Sequence, residues 1–314
     1  MIRVLGVDGG QSGIRLRHSA SDRIEEVEGV SRLEGDTVKA VADAVARGWQ
    51  QAAFDPVERV VLGLTTAPAD DETADHLCRL VGDATGAAEV WLADDAVTSH
   101  AGALSLGWGV SLVAGTGVAC LALPEHGEPR VFGGYGYLLG DEGGAFWIGR
   151  RGLNEVLRAA DGRSATGGTR AMTAAAERRY GLLADLHIRL HSMDRPVHAI
   201  AEFAPDVLDA ADAGDPVAVA ILREAVQELL LLARTAARWA GGEEWVPLAL
   251  GGRLLAEGAP LRRQVDDSLA RMDMPVVARS AHASGLDGAV LLGLAPDVRR
   301  YDGLVYRWRR ESVG

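Results

Sequence analysis

Apolar positions along the chain fall into two regimes. Short aliphatic runs, several of them ending at glycine, predict strands at 60–64, 90–92, 110–114, 118–123, 246–250 and 276–277. Elsewhere apolar residues recur every three or four positions. Val38, Val41, Val45 and Trp49 lie on one face of a helix predicted over 37–53. The same spacing predicts helices at 71–84, from 95 to about 106, at 145–160, at 216–240, from about 254 to 271 and at 285–294, with less regular helical segments up to 210. Residues 3–7 and 14–17 flank a glycine turn and predict a hairpin.

A hairpin followed by alternating helix and strand indicates a layered α/β lobe. The pattern restarts at 110, where a second hairpin again surrounds a glycine turn. The expected division is an N-terminal α/β lobe over 1–109 and a C-terminal α/β lobe over 110–314 with helical additions, the last helix packing back on the first lobe.

Glycine density marks the candidate chemistry. Residues 133–149 read GGYGYLLGDEGGAFWIG, with seven glycines around the pair Asp141–Glu142. So much glycine serves tight turns or backbone in close contact with a ligand. Two further turns, Asp8-Gly9-Gly10-Gln11-Ser12-Gly13 and Gly115-Thr116-Gly117, sit between strands. Consecutive N–H groups in such turns form an anion cavity. Asp8, at a strand end, is suited to hold Mg²⁺ through water, and the Thr116 hydroxyl to meet a phosphate oxygen. Two such hairpins facing each other would clamp a triphosphate between the lobes. An ordinary glycine hairpin with aspartate as turn former explains each turn taken alone.

Asp94 and Asp95 end a strand and open a helix. One carboxylate suffices as an N-cap. The other stands where a general base for a substrate hydroxyl would sit. Gly251-Gly252-Arg253 ends a strand with bare backbone against which an adenine ring could lie, although a plain turn explains it equally well. Phe146 and Trp147 are expected in the core.

Composition narrows the choice. The chain has 314 residues, a formal net charge of −12 and nearly half hydrophobic residues, so a sizeable core is expected, and neither nucleic acid nor an anionic membrane is the expected partner. Lys39 is the only lysine and lies outside any glycine-rich loop, which excludes a Walker A site. Cys78 and Cys120 give neither a disulfide framework nor metal spacing and suit a reducing cytoplasm. The opening residues read as neither a signal peptide nor a membrane span. His187 and His191 are an i, i+4 pair without the glutamate of a zinc-protease helix and are expected at the surface.

The segments VLGVDGGQSG, LADDA, LVAGTG, GGYGYLLGDEGGAFWIG and LALGG, in this order, resemble the BadF/BadG/BcrA/BcrD-type ATPase family, and especially its N-acetylglucosamine kinase branch. The resemblance runs from about residue 2 to about 295. It implies an α/β fold of two ribonuclease-H-like lobes, as in actin-like ATPases, with ATP and Mg²⁺ in a cleft between them. It implies phosphate contacts at Gly9, Gly10, Gln11 and Ser12 and at Gly115, Thr116 and Gly117, adenosine at Gly251 and Gly252, Asp95 as catalytic base and Asp141 as the acid that contacts the sugar. Tyr135 stands where such kinases usually carry tryptophan. The sugar-binding asparagine of the kinases is missing from 29–35, so Arg32 or Glu34 is expected to contact substrate instead. The implied activity is ATP-dependent phosphorylation of a hydroxyl of N-acetylglucosamine or glucosamine, in a cytoplasmic homodimer. Two other readings stay open: an activator ATPase with a cysteine-held iron–sulfur cluster, and a sugar or nucleotide sensor without turnover.

Overall fold

The computed structural model describes residues 2–10, 13–30, 36–65, 67–164, 169–241, 245–272 and 274–311. The chain forms two compact units. The first comprises Met1–Ser111, Leu121–Arg130 and Arg279–Gly314; the second comprises Leu112–Cys120 and Val131–Ala278.

In chain order the elements are β1 (Val4–Gly9), β2 (Gly13–His18), β3 (Ile24–Glu28), α1 (Thr37–Ala52), β4 (Arg59–Leu64), α2 (Asp71–Thr85), β5 (Glu89–Asp94) and α3 (Asp95–Ala103). Then come β6 (Gly109–Ala114), β7 (Val118–Leu123), β8 (Arg130–Phe132), α4 (Ala145–Ala160), α5 (Arg170–Tyr180), α6 (Leu186–His191), α7 (Pro196–Ala201), α8 (Ala204–Asp212) and α9 (Pro216–Gly241). The chain closes with β9 (Val246–Gly251), α10 (Pro260–Leu269), β10 (Val276–Ser280), α11 (Gly285–Leu294) and β11 (Val305–Arg309).

The first unit is built on a six-stranded sheet in the order β11-β5-β4-β1-β2-β3. Strands β1, β4 and β5 are parallel, and β2, β3 and β11 run antiparallel to their neighbours. Alternation along the parallel strands fills both faces. Leu5, Val7, Val60, Leu62, Val90 and Leu92 join one cluster with Val45 of α1 and Leu77, Cys78 and Val81 of α2. Val4 and Val61 point the other way, toward Gly293 of α11. Helix starts are fixed by carboxylates: Asp36 accepts the Lys39 N–H, and Asp70 the Thr73 N–H. Ser284 and Asp287 form a capping box at the start of α11.

The second sheet has the order β10-β9-β6-β7-β8. The second unit is dominated by α9, 26 residues long, which buries Ile221, Leu222, Leu229 and Leu230. It lies against α4, α8, α10 and β9.

Two helices are shorter than their periodicity predicts. The stretch expected as one helix from 254 to 271 breaks into a 3-10 turn at Arg253–Leu255 and α10, because Gly258 takes a φ of 81° and Pro260 lacks the N–H to continue a helix through it. Helix α3 stops at Ala103 rather than near 106, since Ser105 and Leu106 adopt φ of 51° and 63°. Strands β3, β8 and β11 have no counterpart in the expected elements.

Candidate active site

The parallel register of the first unit aligns three strand ends. Gly9 of β1 pairs with Leu64 of β4, and Leu64 pairs with Asp94 of β5. The residues that follow the three strands are Gly10, Thr65 and Asp95, the last being the first residue of α3, so they gather at the carboxyl edge of the sheet. The Thr65 N–H donates to the Gly9 carbonyl at 2.9 Å, and the Thr65 hydroxyl donates to Asp95 Oδ2 at 2.7 Å.

Asp94 and Asp95 divide their labour as capping chemistry requires. The Asp94 carboxylate accepts the Ala96 N–H at 3.0 Å and is the N-cap of α3. Asp95 takes no part in capping. Burial pushes its carboxyl up to about 7; the neighbouring charge of Asp94 and, more weakly, that of Asp8 push the same way, and the Thr65 hydrogen bond pulls it down.

Asp8 lies opposite Arg15 in the β1–β2 hairpin and forms an ion pair with it. The hairpin closes with the Gly10 N–H donating to the Gly13 carbonyl at 3.0 Å. Gln11, Ser12, Arg32 and Glu34, expected at the phosphate turn and the sugar, lie outside the described residues.

In the second unit, the turn at Gly115–Gly117 closes with the Gly115 N–H on the Gly117 carbonyl at 2.9 Å. The first helical N–H groups of α4 dock onto it: Ala145 donates to Gly115 at 2.9 Å and Phe146 to Thr116 at 3.0 Å. The helix that follows the glycine-rich stretch is thus bolted to the turn at Gly115–Gly117, which satisfies its first two N–H groups. Asp141 reaches the same turn. A Cβ built on Gly117 would stand 2.8 Å from Asp141 Cγ. Asp141 itself holds a φ of 60°, rare for a residue with a side chain. Asp141 and Glu142 line a cavity of about 170 Å³ with Gly133, Gly134, Glu228 and Thr235.

Gly252 brings the end of β9 onto the same turn from another side. Its φ is 82°, and a Cβ there would lie 2.6 Å from the Ala114 carbonyl carbon. Gly115, the next residue, has open space where a Cβ would be. The second unit therefore gathers Gly115–Gly117, Asp141 and Gly251–Gly252 around one backbone turn. Tyr135 stands apart from this set: it is 76% exposed and does not line the cavity beside Asp141. Phe146 is buried as expected, whereas Trp147 is only partly so.

Thr65 and Arg15 also stand at this edge, beside Asp95 and Asp8. Both have a signal in hindsight of the topology: a hydroxyl directly after a parallel strand, and a base opposite Asp8 across a short hairpin.

Among the described residues, no group of three or more His, Cys, Asp or Glu is placed to hold a metal ion, and no helix is long and apolar enough to cross a membrane. Magnesium in phosphoryl transfer needs only one or two carboxylates, with phosphate oxygens and water completing its shell. Asp8 offers one such carboxylate, and the acidic field it shares with Asp94 and Asp95 suits a hard cation. Cys78 and Cys120 are buried, and burial pushes both thiols up to about 12, which disfavours the thiolates that an iron–sulfur cluster requires.

Comparison with known proteins follows the same lines. The family model of the BadF/BadG/BcrA/BcrD ATPase family matches residues 5–293. An N-acetylmuramic acid/N-acetylglucosamine kinase of Clostridium acetobutylicum is 25% identical over 168 residues, 51% of this chain. That match spans 55% of the kinase's own length. A glucosamine kinase of Vibrio cholerae is 26% identical over 244 residues, 72% of this chain and 77% of the kinase. Among solved structures, a protein assigned as an N-acetylglucosamine kinase from Chromobacterium violaceum superposes with a TM-score of 0.71 at 29% identity, over 93% of this chain and 99% of its own. A counterpart from Porphyromonas gingivalis, with a TM-score of 0.68 at 16% identity over 93% and 97% of the two chains, shares the fold.

Proposed function

We propose that this chain, which belongs to the BadF/BadG/BcrA/BcrD ATPase family, is an ATP-dependent kinase for a hydroxyl of an amino sugar, N-acetylglucosamine or glucosamine. The observation that carries this reading is Asp95. It is a carboxylate at the end of a parallel strand, released from capping by Asp94, and its proton affinity sits near neutrality. A base of that strength takes a proton from an attacking hydroxyl efficiently at physiological pH. The names of the relatives supply the substrate class.

In this mechanism Asp95 accepts the proton of the sugar hydroxyl as that oxygen attacks the γ-phosphorus of ATP in line. In the turn that runs from Gly9 and Gly10 the N–H groups of Gln11 and Ser12, and in the second turn those of Thr116 and Gly117 with the Thr116 hydroxyl, meet phosphate oxygens and take up charge as the bond to the leaving ADP breaks, while the Gly10 and Gly115 N–H groups close the two turns. Gly251 and Gly252 give the adenosine a surface free of side chains. Asp141 accepts hydrogen bonds from the sugar, with Arg32 and Glu34 as further contacts, whereas Tyr135 lies exposed outside the cavity beside Asp141. Asp8 would hold Mg²⁺, which neutralises phosphate charge when bound. A homodimer in the cytoplasm completes the reading.

The test is ADP release measured against a panel of sugars with Mg²⁺ and ATP. Stimulation by N-acetylglucosamine or glucosamine, and not by the buffer alone, is expected. Release that no amino sugar stimulates would reject the proposal.

A further inference from the structure

We infer that Thr65 is the positioning residue of Asp95, fixing the rotation of its carboxylate from the first phosphate turn. The inference rests on the proposed kinase reading and deepens it.

The register leaves little freedom in who stands beside whom. Thr65 is the residue between Gly10 and Asp95 in the row of strand ends, on the central one of three parallel strands. Its N–H continues the sheet by bonding Gly9 at 2.9 Å. That bond needs no particular side chain. The hydroxyl is used separately: it donates to Asp95 Oδ2 at 2.7 Å, the length of a charge-assisted bond. On its other side the hydroxyl meets the turn, since a Cβ on Gly10 would stand 3.0 Å from Thr65 Oγ1. One side chain thus stands beside the turn proposed for phosphate and bonds the carboxylate proposed for the sugar hydroxyl.

A role in stability explains this poorly. Thr65 is exposed, unlike the four residues before it on β4, which are buried. Exposed substitutions of similar shape usually leave stability nearly unchanged. A carboxylate without a fixed partner rotates about Cβ–Cγ, and a base must be held within hydrogen-bonding reach of the proton it takes. The Asp94 side chain is held at the Ala96 N–H and also meets the Asp95 carboxyl, with a weaker effect than the Thr65 bond, so the Thr65 hydroxyl is the main uncharged group that orients Asp95. The β-branched shape of threonine also restricts its own χ1, which keeps the hydroxyl aimed.

The experiment compares the whole protein with Thr65→Val, Thr65→Ala and Thr65→Ser, measuring kcat, KM for ATP, KM for N-acetylglucosamine and melting temperature. Thr65→Val is expected to lower kcat about ten- to a hundredfold, the range for losing a hydrogen bond to a charged group. KM for ATP and the melting temperature should stay at the wild-type values. Thr65→Ser, which keeps the hydroxyl, should recover most of kcat. If Thr65→Val fails to fold, Thr65→Ala against Thr65→Ser asks the same question. An active wild type with Thr65→Val or Thr65→Ala at full kcat overturns this inference and leaves the kinase reading standing. So does a Thr65→Ser variant as impaired as the valine one, which would point to packing instead. A wild type that no amino sugar stimulates overturns both.

Discussion

The carboxylate of Asp141 rests against Gly117, so close that a Cβ at 117 would fall 2.8 Å from Asp141 Cγ. Asp141 is held there by the Gly144 N–H, which donates to its carbonyl at 2.9 Å, and by its own left-handed backbone. Gly117→Ala is therefore expected to push the carboxylate away while the turn's backbone bonds remain. Loss of a charged hydrogen bond to substrate costs about 1.5–3 kcal/mol, or about ten- to a hundredfold in kcat/KM for the sugar. Steady-state kinetics with the sugar varied, alongside ATP varied, would separate this from a general loss. An unchanged kcat/KM for the sugar would remove Asp141 from substrate recognition.

Asp95 gives the enzyme its expected pH dependence. With its carboxyl pushed up to about 7, activity should rise along a single acid limb with a midpoint near neutrality. Asp95→Asn should lower turnover by about 10²- to 10⁴-fold, the usual contribution of a positioned base. Stability should move the other way. The native carboxyl binds its proton more tightly than the unfolded one, so its contribution is present in full below the unfolded value near 4 and is lost as pH rises through about 7. Asp95→Asn should therefore melt above the wild type at pH 8, with the gap closing toward pH 4. Thermal melts across that range check the sign.

Gly252 permits no side chain at two levels, since its φ is 82° and its Cβ position collides with the backbone of Ala114. Gly252→Ala is expected to raise KM for ATP and to destabilise by at least about 1 kcal/mol. Nucleotide titration by calorimetry and a thermal melt test both halves. Normal ATP binding would detach the β9 turn from the adenosine.

His100 shows a buried polar group resolved without charge. Its Nδ1 lies 3.0 Å from the Tyr301 hydroxyl and its Nε2 3.3 Å from the Gly109 carbonyl. Burial pushes the imidazole down to about 4. Because the folded value is depressed, the unfolded chain takes the proton first, and stability is lost as pH falls from about 6.5 toward 4. Proton NMR should find His100 neutral at pH 5.5; a midpoint near 6.5 would contradict the buried arrangement. Tyr301→Phe should cost about 1–3 kcal/mol by leaving the ring nitrogen unpaired.

Most of the fold is legible from periodicity because the sheet of the first unit is covered on both faces. Its strands read as unbroken apolar runs, as at Val60–Leu64, and its helices as stripes, as in α1. Edge strands escape this test. In β3 and β11 only one or two apolar residues per strand, Val27 and then Tyr306 and Trp308, pack on the core between charged neighbours, too few to make an apolar run. Capping chemistry alone splits the acid pair at 94–95 into cap and spare without saying which is which; the resemblance names Asp95 as the base, and the Ala96 hydrogen bond makes Asp94 the cap. Thr65 was invisible for a different reason. Its meaning comes from register across three strands far apart in sequence, and no local pattern encodes that.

Transfer of a phosphoryl group to a sugar is distinguished from transfer to water by the phosphorus-containing product. Phosphorus-31 NMR of the protein with Mg²⁺, ATP and N-acetylglucosamine follows both fates at once. A sugar phosphomonoester is expected to accumulate in step with ADP. Inorganic phosphate in its place, with the sugar unchanged, would contradict the kinase reading.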